Sequence, residues 1–148
     1  MSTNATDTAL DMFSQMFNCS ESVLAGLAAE FGLDCPCVPR IATAFGGGMA
    51  GQGEICGALT GAMMALGLKY GRERGDDNDS KAVTYGKVRQ LFAAFEKEFG
   101  TCVCFDLIGF DLTTPEGLQQ AKDAGLHQKI CPKYVEFCTE QAARLMTD

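Results

Sequence analysis

Eight cysteines stand in a chain of 148 residues: Cys19, Cys35, Cys37, Cys56, Cys102, Cys104, Cys131 and Cys138. Thiolate sulfur is a ligand for soft metals and iron–sulfur clusters, and paired thiols cycle between dithiol and disulfide. A set this dense predicts metal binding or redox chemistry ahead of structural cross-linking, provided the chain works in a reducing compartment. The bland alternative is that buried thiols fill core space as small hydrophobes. Spacing narrows the choice. There is no C-x-x-C pair, so zinc-ribbon, thioredoxin and ferredoxin patterns are all poor fits. Two C-x-C pairs, Cys35/Cys37 and Cys102/Cys104, are compatible with a second thiolate site, and Cys37 and Cys102 with a role as alternative or exchangeable ligands. Cys138 follows Cys131 by one heptad and is expected to be a buried bystander.

The elements that must position these sulfurs read as helices. Leu10, Phe13 and Phe17 fall at helical spacing over 6–17, and Asn18 or Ser20 can cap a second helix over 19–31, stopped at Gly32. A Cys-Pro-Cys turn follows, then a short helix over 39–45 and the breaker Gly46-Gly47-Gly48. The apolar stretch 53–70 predicts a helix with Gly53, Gly57 and Gly61 on one face, beside Cys56. Each interior glycine costs a helix about 1 kcal/mol against alanine. The bare ridge is therefore expected to admit a close backbone or a bulky cofactor. Asp79 or Ser80 can cap a helix running to Phe99, with Val83, Val88, Leu91, Phe92, Phe95 and Phe99 as its core stripe. Pro115 and Pro132 suit the first turns of two further helices. No period-two alternation is found. The expected fold is all-α: one domain over 1–148, a bundle of about five to six helices with a Gly-rich loop, and 1–15 as an N-terminal extension or helix. Cys19, Cys35/Cys37, Cys102/Cys104 and Cys131 all fall near predicted helix ends, where dipoles and free amides favour thiolate.

The remaining composition excludes several classes. Nineteen acids against twelve Lys and Arg give a net charge of −7, so no basic surface exists for nucleic acid. The longest apolar run, 55–68, is too short for a bilayer. The first seventeen residues lack the basic and apolar regions of a secretory signal, so a cytoplasmic location is expected. His127, the single histidine, stands four residues before Cys131 and could lie beside it on a helix, although a surface or capping role is the commoner fate. The glycine run at 46–53 lacks the Lys-Ser/Thr of a phosphate loop. It could present backbone amides to an anionic group, and Gly47, Gly48 and Gly57 are the candidates for that role.

Four stretches carry a family resemblance. They are Phe17-Asn18-Cys19-Ser20-Glu21, the segment Gly53-Glu54-Ile55-Cys56-Gly57-Ala58-Leu59-Thr60-Gly61 after its glycine run, Cys104-Phe105-Asp106-Leu107, and Cys131-Pro132-Lys133-Tyr134. Over roughly 15–140 the chain resembles the redox-active protein family named for its C…GCAxxG…C…C pattern. Here the central segment has its cysteine and first glycine in the opposite order. The resemblance implies a redox role, with Cys19, Cys56, Cys104 and Cys131 as the shared set. A related module fused to a cytochrome implies an iron–sulfur cluster on those four.

The leading expectation is thus an iron–sulfur cluster on Cys19, Cys56, Cys104 and Cys131, serving electron transfer or a small-substrate redox step. Cys35, Cys37 and Cys102 are held as additional ligands or redox thiols. A cluster-free thiol/disulfide oxidoreductase needs a low-pKa, exposed thiol instead. A third possibility is a thiolate site for zinc or copper. Electrons are expected from a redox partner protein or a small-molecule donor, with neither nucleic acid nor membrane insertion, and a homodimer is compatible with the glycine and methionine surfaces.

Overall fold

The computed structural model describes residues 4–33 and 35–147, so the first three residues of the expected N-terminal segment lie outside the description. The described residues are helical, as the periodicity requires, with a single isolated bridge between Ile55 and Val103 in place of any sheet. Seven α-helices are present: α1 Ala5–Ser14, α2 Cys19–Glu30, α3 Gly57–Tyr70, α4 Asn78–Phe99, α5 Cys104–Ile108, α6 Pro115–Asp123 and α7 Pro132–Leu145. A 3-10 segment, Arg40–Phe45, lies between α2 and α3, and a π-helical turn, Leu126–Ile130, precedes α7. The count exceeds the expected five or six because α5 and the π turn are too short for periodicity to reveal.

Helix α2 is the centre of the packing. It lies against α1, α3 and α7, and α3 and α7 in turn meet α4. Val23, Leu24 and Leu27 of α2 are fully enclosed with Leu59, Ala62 and Leu66 of α3 and Val135 and Ala142 of α7. Glycine sets the α2–α3 distance. A Cβ on Gly61 would stand 2.5 Å from the Ser20 carbonyl oxygen and 2.9 Å from its Cα. The expected bare ridge is real, but it begins later than expected. Gly53 lies in the turn before α3 with φ +75°, so Gly57 and Gly61 alone form it.

Beyond α3, an exposed turn leads to α4, whose N-cap is Asp77 rather than the expected Asp79 or Ser80. The Asp77 side chain accepts from the Ser80 N–H. Leu91 and Phe95 of its stripe are buried, and Val88, Phe92 and Phe99 pack on the core, but Val83 is exposed. Gly100 ends the helix in the left-handed region, where glycine alone carries no Cβ penalty. Phe95, Phe99, Tyr134 and Phe137 form an aromatic cluster joining α4 to α7, with Phe95 and Phe99 centroids 4.7 Å apart. No helix among the described residues is long and apolar enough to cross a membrane.

Candidate functional site

Four cysteines reach one cavity from four separate elements. Cys19 is the first residue of α2, Cys56 the N-cap of α3, Cys104 the first residue of α5, and Cys131 the N-cap of α7. All four line a cavity of about 230 Å³. Each helix therefore directs the positive end of its dipole and its unpaired first-turn amides toward the same space.

Local sequence explains each placement. Asn18 closes a capping box: its side chain accepts from the Glu21 N–H, and the Glu21 carboxylate accepts from the Asn18 N–H. The Asn18 amide also donates to the Thr43 carbonyl at 2.9 Å, while the other Glu21 oxygen accepts from the Thr43 hydroxyl. Cys19 is thereby tied to the 3-10 segment. Cys56 and Cys104 are placed by a short antiparallel contact between 53–56 and 102–105. In it the Cys56 N–H donates to the Cys102 carbonyl at 2.9 Å, and the Cys104 N–H donates to the Glu54 carbonyl at 2.6 Å. Cys131 is set by the π turn, where its N–H donates to the Leu126 carbonyl five residues back at 3.0 Å. Pro132 then starts α7 without needing a donor.

The candidate glycines fall into two groups. Gly47 and Gly57 line the cavity. A Cβ on Gly57 would collide with the Cys19 sulfur and sit 3.1 Å from the Phe45 carbonyl oxygen. Gly48 stands behind Cys104, whose Cβ would be 2.6 Å from a Cβ placed there.

The thiols are strongly desolvated. Burial pushes the Cys19 thiol above its ordinary value, and the amides of Gly47, Ser20 and Gly57 pull it partly back. Burial, reinforced by neighbouring Cys19, raises Cys104 to about 11 and Cys131 to about 12, and raises Cys56 well above the usual range. Both chemical causes are plain: a buried thiolate loses water, and another thiolate nearby repels it.

The rest of the wall is largely apolar. Leu107, Ile108, Leu112 and Leu126 contribute, with Tyr134, whose hydroxyl donates to the Leu107 carbonyl at 3.2 Å. Phe13 of α1 and His127 complete it. Their rings stack with centroids 3.7 Å apart and planes 15° apart, and the His127 Nε2 is bonded to the Phe13 carbonyl. His127 is therefore half-buried in the cavity wall and at the same time caps the last turn of α1, the capping role being the one expected of it. Phe13, Leu107, Leu112 and Tyr134 carried no sequence signal for a place in the wall, although Leu107 and Tyr134 stood in the stretches that carry the family resemblance.

The other four cysteines lie elsewhere. Cys102 is buried behind the bridge, its sulfur 4.0 Å from the Phe92 carbonyl. Cys138 is fully enclosed in the core. Neither lines the cavity. Cys35 and Cys37 are joined to each other in a disulfide, and Cys37 borders a different groove, away from the four-cysteine cavity.

Among the described residues, no three His, Cys, Asp or Glu side chains are disposed to hold a single metal ion. A lone zinc needs four sulfurs gathered at about 2.3 Å from one point. Here the four sulfurs are distributed around a space.

One family model matches: that described as "Putative redox-active protein (C_GCAxxG_C_C)", over residues 17–145. No curated protein and no solved structure matches the chain.

Proposed function

The chain belongs to that redox-active family, and we propose that it is an iron–sulfur protein whose cluster is held by Cys19, Cys56, Cys104 and Cys131. One observation carries the reading: four cysteines, each opening a helix, surround one largely apolar cavity. The donor set is the usual one for such clusters. The bare Gly57 position supplies room beside Cys19 that any side chain would remove.

A bound cluster would supply uptake and release of single electrons. The chain's own residues do the rest. Amides of Gly47, Ser20 and Gly57 face the Cys19 sulfur and stabilise negative charge on it, which raises a reduction potential. The four helix N-termini act in the same direction. Leu107, Ile108, Leu112 and Leu126 exclude water from the sulfurs. Electrons would arrive from a redox partner protein or a small-molecule donor.

The rival thiol/disulfide reading of the same four residues is less well supported. Dithiol exchange proceeds through thiolate, whereas burial raises the proton affinity of all four of these thiols. Metal coordination overcomes the raised proton affinity by replacing the proton.

The test is purification without oxygen, followed by the visible spectrum and by iron and acid-labile sulfide per chain. Stoichiometric iron and sulfide, lost in Cys56→Ser and Cys104→Ser but kept in Cys138→Ser, is the expected result. Colourless protein that stays metal-free after reconstitution overturns the cluster and leaves thiol redox chemistry in its place.

A further inference from the structure

The turn Cys35-Pro36-Cys37 takes no part in the site described above. Its sulfurs are bonded across one intervening residue, with Cα atoms 5.3 Å apart. Both cysteines are half-buried and Pro36 is exposed. The turn follows α2, whose twelve residues place about 18 Å between Cys19 and the helix's far end. Cys37 borders its own groove of about 240 Å³, with Leu24, Val38, Ile41, Met64 and Leu68. None of these residues lines the four-cysteine cavity.

A structural staple is a poor account of this bridge. A disulfide stabilises mainly by removing freedom from the unfolded chain, and the gain grows with the length of the closed loop. A loop closed between positions two residues apart is at the short extreme. The turn is also held without the bridge. The Val38 N–H donates to the Cys35 carbonyl at 3.1 Å, and the Ile41 N–H donates to the Cys37 carbonyl at 2.8 Å. Pro36 fixes its own φ between them. Neither hydrogen bond nor the fixed φ involves the sulfurs, so each constrains the turn apart from the bridge.

We propose that Cys35 and Cys37 form a second redox site, a two-electron dithiol/disulfide couple that exchanges with an external thiol. The thiolate of a first thiol attacks one of the two sulfurs, breaking the Cys35–Cys37 bond and forming a mixed disulfide. The released cysteine leaves as thiolate and takes a proton from water. A second external thiolate attacks the substrate-side sulfur of the mixed disulfide, and the other cysteine leaves and is protonated. The products are the protein dithiol and one external disulfide; two electrons pass from the two thiols to the protein. The reverse reaction uses the external disulfide as oxidant. Low-mass thiols and cysteinyl peptides share this chemistry.

The test uses the full chain in mixtures of reduced and oxidised glutathione, quenched with acid and differentially alkylated. Mass spectrometry then reads the segment carrying both cysteines. The expected result is one transition from dithiol to disulfide across those mixtures, with the same midpoint in Cys56→Ser, which is built to lose the cluster. The midpoint is thus independent of whether the cluster exists. A pair that stays reduced in oxidised glutathione alone, stays bridged in the folded protein under excess dithiothreitol, or stops at the mixed disulfide overturns the proposal. Rates with glutathione and with a synthetic single-cysteine peptide identify the thiol class: the faster partner is the better model. Rates for both that fall below those of the urea-unfolded chain overturn it. The Cys35→Ser/Cys37→Ser double variant must melt within about 5 °C of the parent; a larger fall makes the bridge a staple and overturns the redox role.

Discussion

Two regions of this molecule use the same residue type in opposite settings. Around the cavity, four cysteines open four helices, face a largely apolar space and resist ionisation. At the turn after α2, two cysteines sit half-exposed on a short loop and are bonded to each other. The cavity gathers its four cysteines from α2, α3, α5 and α7, elements far apart in the sequence. The turn holds its sulfurs together by sequence proximity and two backbone hydrogen bonds. Desolvation suits the first set to coordination, in which a metal replaces the proton, and adjacency in one exposed turn suits the second to exchange. Environment, rather than residue type, divides the labour.

The sharpest way to break this comparison is alkylation of the metal-free, reduced protein with iodoacetamide. Only thiolate reacts. With Cys104 raised to about 11 and Cys131 to about 12, the thiolate fraction at pH 8 is about 100-fold or more below that of an ordinary thiol. Cys104 and Cys131 are expected to react slower than an ordinary thiol by about that factor, and slower than Cys35 and Cys37, with the gap narrowing as pH rises. Equal rates, read residue by residue by mass spectrometry, would remove the distinction. The same shifts carry a stability consequence. The folded chain retains thiol protons that the unfolded chain gives up near pH 9. This contribution is therefore fully present below about pH 9 and is lost as pH rises toward 11 and 12. Urea midpoints of the metal-free protein should fall over that window and not below it.

Next in size is Gly57→Ala. Its Cβ would meet the Cys19 sulfur and the Phe45 carbonyl, so Cys19 must give up its position. Iron per chain is expected to drop at least tenfold, while the Cys35–Cys37 midpoint stays where it was. Retention of full iron would show that Cys19 has room to move and would weaken its place in the ligand set.

A smaller effect is expected from Gly61→Ala, one turn further along the same ridge. The obstacle there is the backbone of Ser20 rather than a sulfur. Backbone cannot rotate aside, so α2 and α3 must separate. Overpacking of this kind costs about 1–3 kcal/mol, measurable as a lower urea midpoint. Iron content per folded chain should remain, which separates packing from ligation along a single helix face.

Much of this arrangement was legible beforehand, and the failures have a common cause. Helix limits followed local chemistry: Asn18 with Glu21, Thr114 with Pro115, and Gly100 as a terminator are all read within four residues. The placement of cysteines at helix starts was legible for the same reason. The family resemblance marked Cys19, Cys56, Cys104 and Cys131, and the fold brings those four to one cavity. What local patterns could not show is pairing at a distance. The start of α3 was misplaced to Gly53 because Gly53 to Cys56 is extended along residues 102–105, a contact between segments about fifty residues apart. A capping role for His127 was expected, but the helix it caps was not legible because its partner, Phe13, is 114 residues away. The π turn that delivers Cys131 has no periodicity to detect over five residues.

The smallest expected effect tests how far Cys19 depends on its cap. Asn18 satisfies the first turn of α2 by accepting from the Glu21 N–H at 2.9 Å, and it also accepts from the Ser20 hydroxyl at 2.8 Å. Its amide donates to Thr43 across the α2–3-10 junction. Replacing an Asn cap by Ala costs about 1 kcal/mol, and the lost Thr43 bond lies at an exposed position where water substitutes for it. Asn18→Ala should therefore lower stability by about 1 kcal/mol and leave iron content unchanged, because Cys19 remains the first residue of a helix still anchored by Leu24 and Leu27. Asn18→Asp restores the cap but not the donor to Thr43. If Asp recovers the stability of the parent, the cap alone positions Cys19. If Asp behaves like Ala, the tie to Thr43 matters more than the cap, and the 3-10 segment becomes part of what holds the cavity open.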